Sequence, residues 1–284
     1  MTDRLADITA RIEGIHQLGA VVNAMRGIAA ARAQQARNHL VAVDSYAKTI
    51  GLAIGRTLVF LRPADPPRAQ RPIRPALVVF CAEQGFAGAF SERVLASVRG
   101  DLGKCELFLI GTRGRAAIAE KGVVAGWESA MPSHSPGIPR LADRVVEALY
   151  ARIASGEIDA LDVVFTQWSS AAGTDVRRER LFPFDPTVFP KSIDANPPLL
   201  NLEPDVLIRA LAADYLHAQL CRAGLHAFAA ENQTRMEAMA AARRQVEREL
   251  SQLQGRQRLV RQEEITAEVI ELAAGETPSE PGLS

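Results

Sequence analysis

The chain has 284 residues with 33 basic and 33 acidic side chains, so no global charge draws it to nucleic acid or to a lipid surface. Cys81, Cys105 and Cys221 are widely spaced with no CxxC pair, which points away from a disulfide framework or a zinc site. No run of about 18 apolar residues occurs, and Asp3 and Asp7 stand where an export signal would be basic, so neither a membrane span nor export is expected.

From about Thr2 to Thr57, Leu5, Ile8, Ile12, Ile15, Val22, Met25 and Ala29 step by threes and fours apart from one double step, and Leu40, Val43 and Ile50 keep some of the rhythm. The first proline is Pro63, so nothing interrupts a helix of about 55 residues, roughly 80 Å long. Arg62 to Pro75 holds Pro63, Pro66, Pro67, Pro72 and Pro75 and reads as a stiff linker. Ala76 to Cys81 is a continuous apolar run, the pattern of a strand buried on both faces. A glycine-bearing turn over Gln84 to Ala89 leads to a helix from Ser91 to Arg99. Then follow a strand at Glu106 to Ile110, a helix at Thr112 to Lys121, a short strand at Val123 to Trp127, a helix at Arg140 to Ser155 and a buried strand at Leu161 to Gln167. This alternation predicts a small, mostly parallel α/β layer, with Val176 to Phe184 as an edge strand and proline-rich Pro183 to Pro204 as the return crossing.

Pro204 to Ala274 reads as one helix of about 70 residues, roughly 105 Å. Leu211, Tyr215, Ala218, Leu225, Ala229, Met236, Met239, Val246, Leu250, Leu253 and Val260 mark a coiled-coil seam. Arg222, Asn232, Arg243 and Gln257 interrupt it, so looser packing is expected there. Two matched seams at opposite ends of the chain predict that the terminal helices pair antiparallel. The expected division is residues 1–60 as the first coiled-coil helix, 61–203 as the α/β domain with its linkers, 204–275 as the second helix and 276–284 as a frayed tail.

Chemistry is sparse. Gln84-Gly85-Phe86-Ala87-Gly88 sits where a phosphate loop would sit, yet neither GxGxxG nor GxxxxGK[ST] occurs anywhere, and a tight strand-to-helix turn explains the small residues. His16, His39, His134, His217 and His226 are scattered, Cys221 and His226 are poorly aligned on the helix, and neither GxSxG nor HExxH is present. No catalytic, cofactor or metal site is expected. A generic coiled-coil scaffold and a nucleotide-dependent α/β enzyme with coiled-coil arms remain the alternatives.

Three stretches carry a family resemblance. They are Asn23-Ala24-Met25 with Ile28-Ala29-Ala30-Ala31; the strand and turn from Val79 to Phe90; and Arg235-Met236-Glu237-Ala238-Met239 followed by Arg261-Gln262-Glu263-Glu264-Ile265-Thr266-Ala267-Glu268. In order and spacing the chain closely resembles the gamma subunit of F-type ATP synthases. The resemblance implies an antiparallel coiled coil of the terminal helices with a central Rossmann-like α/β domain. It also implies a non-catalytic rotor shaft inside a ring of alpha and beta subunits, standing with epsilon on the c-ring. Such a shaft would be peripheral on the cytoplasmic face of a bacterial inner membrane, without inserting into it, and would bind no nucleic acid.

Residue by residue, the resemblance places Met25 opposite the lever loop of beta. It places Arg235, Arg261, Gln262, Thr266 and Glu268 on polar contacts with beta or between the two helices, with Met25 near the patch formed by the last four. Departures at Ala20-Val21-Val22-Asn23, at Glu83 to Ala89 and at Arg258 mark a divergent bacterial branch, and the accessory F-type ATPase of some bacteria, thought to move sodium, is one candidate.

Overall fold

A computed structural model describes residues 2–61, 74–190 and 198–275. Most of the expected linker after Arg62, part of the return crossing and the expected tail lie outside the described residues. The elements run α1 (Thr2–Leu58), β1 (Pro75–Phe80), α2 (Phe90–Ser97), β2 (Glu106–Ile110), α3 (Arg113–Ala119), β3 (Trp127–Ser129), α4 (Ile138–Ala154), β4 (Ala160–Ser169), β5 (Gly173–Phe182) and α5 (Pro204–Gly275). The chain forms two compact units, each drawing on both long helices: residues 28–236, and the residues up to Gly27 with those from Glu237 onward.

In the larger unit the sheet has the order β3-β2-β1-β4-β5. β1 is parallel to β2 and β4, and β2 is parallel to β3, while β5 returns antiparallel along β4. Alternate residues of the central strands feed two cores. Val78, Phe80, Phe108, Ile110, Val163 and Phe165 pack with α4 and with Ala36, Leu216, Leu220 and Phe228 of the long helices. Leu77, Val79, Leu107, Leu109 and Val164 pack with Phe90, Val94 and Leu95 of α2 and with Ile118. The apolar strand runs thus mark burial on both faces, as parallel sheets require. A third cluster joins Ile50 and Ile54 of α1 to Phe189, with Ile208, Leu211 and Tyr215 of α5 packed against it. In this unit α1 ascends as α5 descends, as the resemblance implies.

α5 starts as its sequence dictates. Pro204 occupies the first turn, Asp205 is an acidic residue there, and the Glu203 carbonyl accepts from the amides of Val206 and Leu207, both at 3.0 Å. Between Leu216 and Arg235 the helix is buried on nearly every face. The seam interruptions at Arg222 and Asn232 are therefore not loose points. Arg222 donates to Glu179 on β5 at 2.5 Å, and Asn232 is buried and donates to the Phe228 carbonyl at 2.9 Å. A polar residue on the seam is tolerated here because α5 packs against the α/β layer as well as against α1, and each side chain finds a partner.

The short strand differs from expectation. It begins at Trp127, where the predicted one ends, because Gly122 has φ 67° and Val124 is exposed; only at Gly126 does the chain rejoin the sheet, donating to the Leu107 carbonyl at 3.0 Å.

In the smaller unit the pairing is also antiparallel. A side chain on Gly19 would reach Val246, and Thr9 accepts a hydrogen bond from Gln257 at 3.0 Å, so numbers fall on one helix as they rise on the other. Val22, Met239, Val246 and Val260 are buried along this stretch.

Two outcomes follow from the larger unit. At Gly55 on α1, an added Cβ would collide with the Pro190 backbone carbonyl, which cannot rotate away. Gly55→Ala is expected to destabilise the full chain by about 1–3 kcal/mol despite alanine's helix propensity; a urea midpoint equal to or above wild type contradicts this contact. His226 stacks on Phe165 with ring centroids 5.7 Å apart, and burial, with Arg222 adding, pushes its pKa below the usual imidazole range. Below about pH 6.5 the folded state then binds fewer protons than the unfolded one, so this contribution to stability is present above that unfolded value and is lost as pH falls from it through the lower folded-state value. His226→Leu should flatten the decline in unfolding free energy as pH falls below about 6.5; an unchanged slope there contradicts the assignment.

Candidate functional site

Open α/β sheets place ligands outside the C-terminal ends of their parallel strands. Here that edge is formed by the segments following β1, β2 and β3. After β1 the turn carries Phe86 at φ 62°, the one non-glycine residue with positive φ among those described, and the residue is 66% exposed. A left-handed backbone costs a side-chain-bearing residue about 1–2 kcal/mol, so other interactions must hold the turn.

Arg235 of α5 supplies them. Its Nε donates to the Gly85 carbonyl at 3.0 Å, Nη2 to the Gln84 carbonyl at 3.3 Å and Nη1 to Asn232 Oδ1 at 3.0 Å, and the guanidinium also pairs with Glu231 one turn back. The Glu231 carboxylate in turn accepts from the Glu83 amide at 3.1 Å and the Gln84 amide at 3.2 Å. Glu231 and Arg235 are only 3% and 4% exposed, so each charge is stabilised by the other and by backbone dipoles rather than by water.

Glu83 repeats the device across the sheet edge. Its Oε2 accepts from the Thr112 amide at 3.1 Å and the Met131 amide at 2.9 Å, and Oε1 accepts from the Thr112 hydroxyl at 3.1 Å. Gly111, at φ 97°, lets β2 end close against Cys81, where a Cβ would strike the Cys81 carbonyl. These backbone donors are the kind that phosphate loops aim at a ligand. Here two of the chain's own carboxylates take them, and an incoming anion would have to displace a carboxylate and bear its repulsion.

Elsewhere the chemistry is that of packing. Among the described residues no group of three or more His, Cys, Asp or Glu side chains is arranged to hold a metal. Cys221 Sγ lies 3.7 Å from His217 Nε2, which lies 3.0 Å from Asp143, so the histidine beside this cysteine is the one four residues back and not His226. Burial pushes the Cys221 thiol up to about 12, with Asp143 adding, the reverse of what an activated nucleophile needs.

Comparison with known proteins decides the family. The family model described as ATP synthase matches residues 4–277. The ATP synthase gamma chain of Bdellovibrio bacteriovorus is 26% identical over 288 residues, covering 95% of this chain and 97% of that one. The gamma chain of Frankia casuarinae is 27% identical over 292 residues, covering 97% of each. The chain belongs to the ATP synthase gamma-chain family. Its fold is shared with a chain of the Euglena gracilis mitochondrial ATP synthase rotor in rotational state 1, with TM-score 0.67 at 12% identity over 93% of this chain and 100% of that one. A central-stalk chain of Tetrahymena thermophila mitochondrial ATP synthase gives TM-score 0.56 at 15% identity over 78% of this chain and 99% of that one.

Within this gamma-family chain the residues expected to contact partners fall in different places. Arg235 is buried against the turn instead of standing out as a helix charge. Met25 is half-buried, and Arg261, Gln262, Thr266 and Glu268 are exposed on α5, with the Thr266 hydroxyl donating to the Gln262 carbonyl of its own helix at 2.8 Å. The expected closeness of Met25 to this patch is corrected by the register. Arg261 and Glu268 lie beyond the Thr9–Gln257 level and Met25 lies beyond the Gly19–Val246 level in the opposite direction. At about 1.5 Å per residue, the stretch from Thr9 to Met25 alone separates them by roughly 24 Å.

Glu231 and Glu83 were absent from the expected site residues. The available signal was the polar run Glu231-Asn232-Gln233-Thr234-Arg235, with opposite charges at i and i+4, directly after the apolar Ala227-Phe228-Ala229-Ala230. Arg235→Met removes one partner of a buried pair and leaves Glu231 uncompensated, an expected loss of about 3–5 kcal/mol in the unfolding free energy of the full chain. A loss below about 1 kcal/mol would show that the pair is solvated and the turn held by other means.

Proposed function

We propose that this chain is the central shaft of an F-type ATP synthase, turning within the ring of alpha and beta subunits to couple proton or sodium movement to ATP synthesis or hydrolysis. It catalyses nothing itself. The observation that carries this reading is the family match over nearly the whole chain, joined to antiparallel pairing of the two long helices in each unit. A shaft biases conformational equilibria in the subunits around it by differential contact, and needs no reactive group of its own.

Features along α5 support that role. Past the Thr9–Gln257 level α5 exposes Ile265, Val269, Ile270 and Leu272, an apolar surface suited to an enclosing sleeve. Arg261, Gln262, Thr266 and Glu268 offer polar contacts that can be made and broken with beta, and Met25 offers a separate one. No helix among the described residues is long and apolar enough to cross a membrane, which accords with a peripheral position on the cytoplasmic face of a bacterial inner membrane, with epsilon, on the c-ring. The carboxylates at the sheet edge disfavour a nucleotide enzyme.

A tagged copy of the chain, extracted in mild detergent from its native membranes, should co-purify with alpha, beta, epsilon and c subunits identified by mass spectrometry. The purified chain alone should neither hydrolyse ATP nor bind it with micromolar affinity in calorimetry. Recovery without an alpha–beta partner would favour a generic coiled-coil scaffold, and micromolar ATP binding would favour an enzyme.

A further inference from the structure

We propose that Glu231 and Glu83 form a two-carboxylate relay that fixes the loop edge of the α/β domain to α5, and that both are positioning residues for rotary coupling. Their part in coupling rests on the shaft reading; the hydrogen-bonded relay does not.

The relay runs in three steps, all within residues 28–236. Arg235 holds Glu231 on α5; Glu231 grips the amides of Glu83 and Gln84; and the Glu83 side chain, its backbone thus fixed, grips Thr112 after β2 and Met131 after β3. One helix turn on α5 thereby sets the ends of three neighbouring strands through hydrogen bonds to ionised acceptors, the strong class. Apolar packing resists separation but tolerates sliding, whereas these directional bonds fix register. Torque arriving along α5 is borne at the sheet edge by this chain of bonds, and a break at either carboxylate loosens the segments after β2 and β3 relative to the helix, leaving Arg235 on the Gln84 and Gly85 carbonyls and the Arg113 amide on the Ala82 carbonyl.

The relay differs from two separate clamps in one readout. In the full chain, Glu231→Gln should speed hydrogen exchange about fivefold, the effect of roughly one net hydrogen bond, at the Gln84 amide and also at the Thr112 and Met131 amides, which Glu231 does not touch. Amides of the sheet interior such as Val78 and Val163 should be unchanged. Glu83→Ala should free Thr112 and Met131, and formate, a carboxylate without a chain, should restore their protection in a saturable way while chloride does not. Should Glu83→Ala fail to fold, Glu83→Gln, whose single neutral acceptor oxygen can take the place of the Oε2 that both amides share, should speed exchange at Thr112 and Met131 together and by less than one net hydrogen bond, and release of only one of them would contradict the shared acceptor.

In assembled enzyme in vesicles, each variant should lower the ratio of ions pumped to ATP hydrolysed, and the double variant should lower it no further than the worse single one. Faster exchange confined to Gln84 in Glu231→Gln, absence of a formate effect, or additive losses of coupling would each overturn the relay. Failure of the wild-type chain to join an ATP synthase would instead sink the shaft reading and leave the exchange result to decide the relay alone.

Discussion

The buried Glu231–Arg235 pair is the constraint on which the larger unit depends. A charge taken out of water is expensive, and removing a partner costs more than the pair contributes, so two charged groups only a few per cent exposed persist where their lone pairs and N–H groups find partners. Here the partners are the amides of Glu83 and Gln84, the carbonyls of Gln84 and Gly85, and Asn232. The pair thereby joins α5 to the first turn of the sheet. The left-handed Phe86, the closed anion cradle and the tight packing of α5 against two layers are all compatible with it.

Seen from this joint, the α/β layer has an architecture that elsewhere binds nucleotides, with carboxylates at the edge where phosphates would sit. The strand order places a crevice between β1 and β4, where the order reverses, and the backbone donors stand at the usual edge. Glu83 and Glu231 fill those donors from within the chain. Two side chains of the chain itself thus occupy the donors that an anionic ligand would use.

Much of the architecture was legible in the sequence because it rests on periodicity. The steps of three and four at both ends, and the apolar runs ALVVFC and LDVVFTQ, report burial directly, and the helices and central strands stand where those patterns place them. The strand near Trp127 was placed too early because a run with two valines mimics a strand, although Val124 faces solvent beside a left-handed glycine. Arg222 and Asn232 were read as weak points because a seam pattern assumes one partner helix, whereas α5 has a sheet on its other side. Of the candidate contact residues, the family motif located Arg235 but not its environment, since burial by a turn about 150 positions away leaves no local trace. Met25 and Arg261 were drawn together because the resemblance sets both against beta on paired helices, and the antiparallel register separates them.

The most direct measurement is a double-mutant cycle on Glu231 and Arg235, by equilibrium urea unfolding of the full chain with Glu231→Gln, Arg235→Met and both. If the pair is the joint, the double variant should be about 2–3 kcal/mol less destabilised than the sum of the singles, because once one partner is gone the other is a liability. Additivity within about 0.5 kcal/mol would show that the two residues act independently and that α5 is held to the sheet by apolar packing alone.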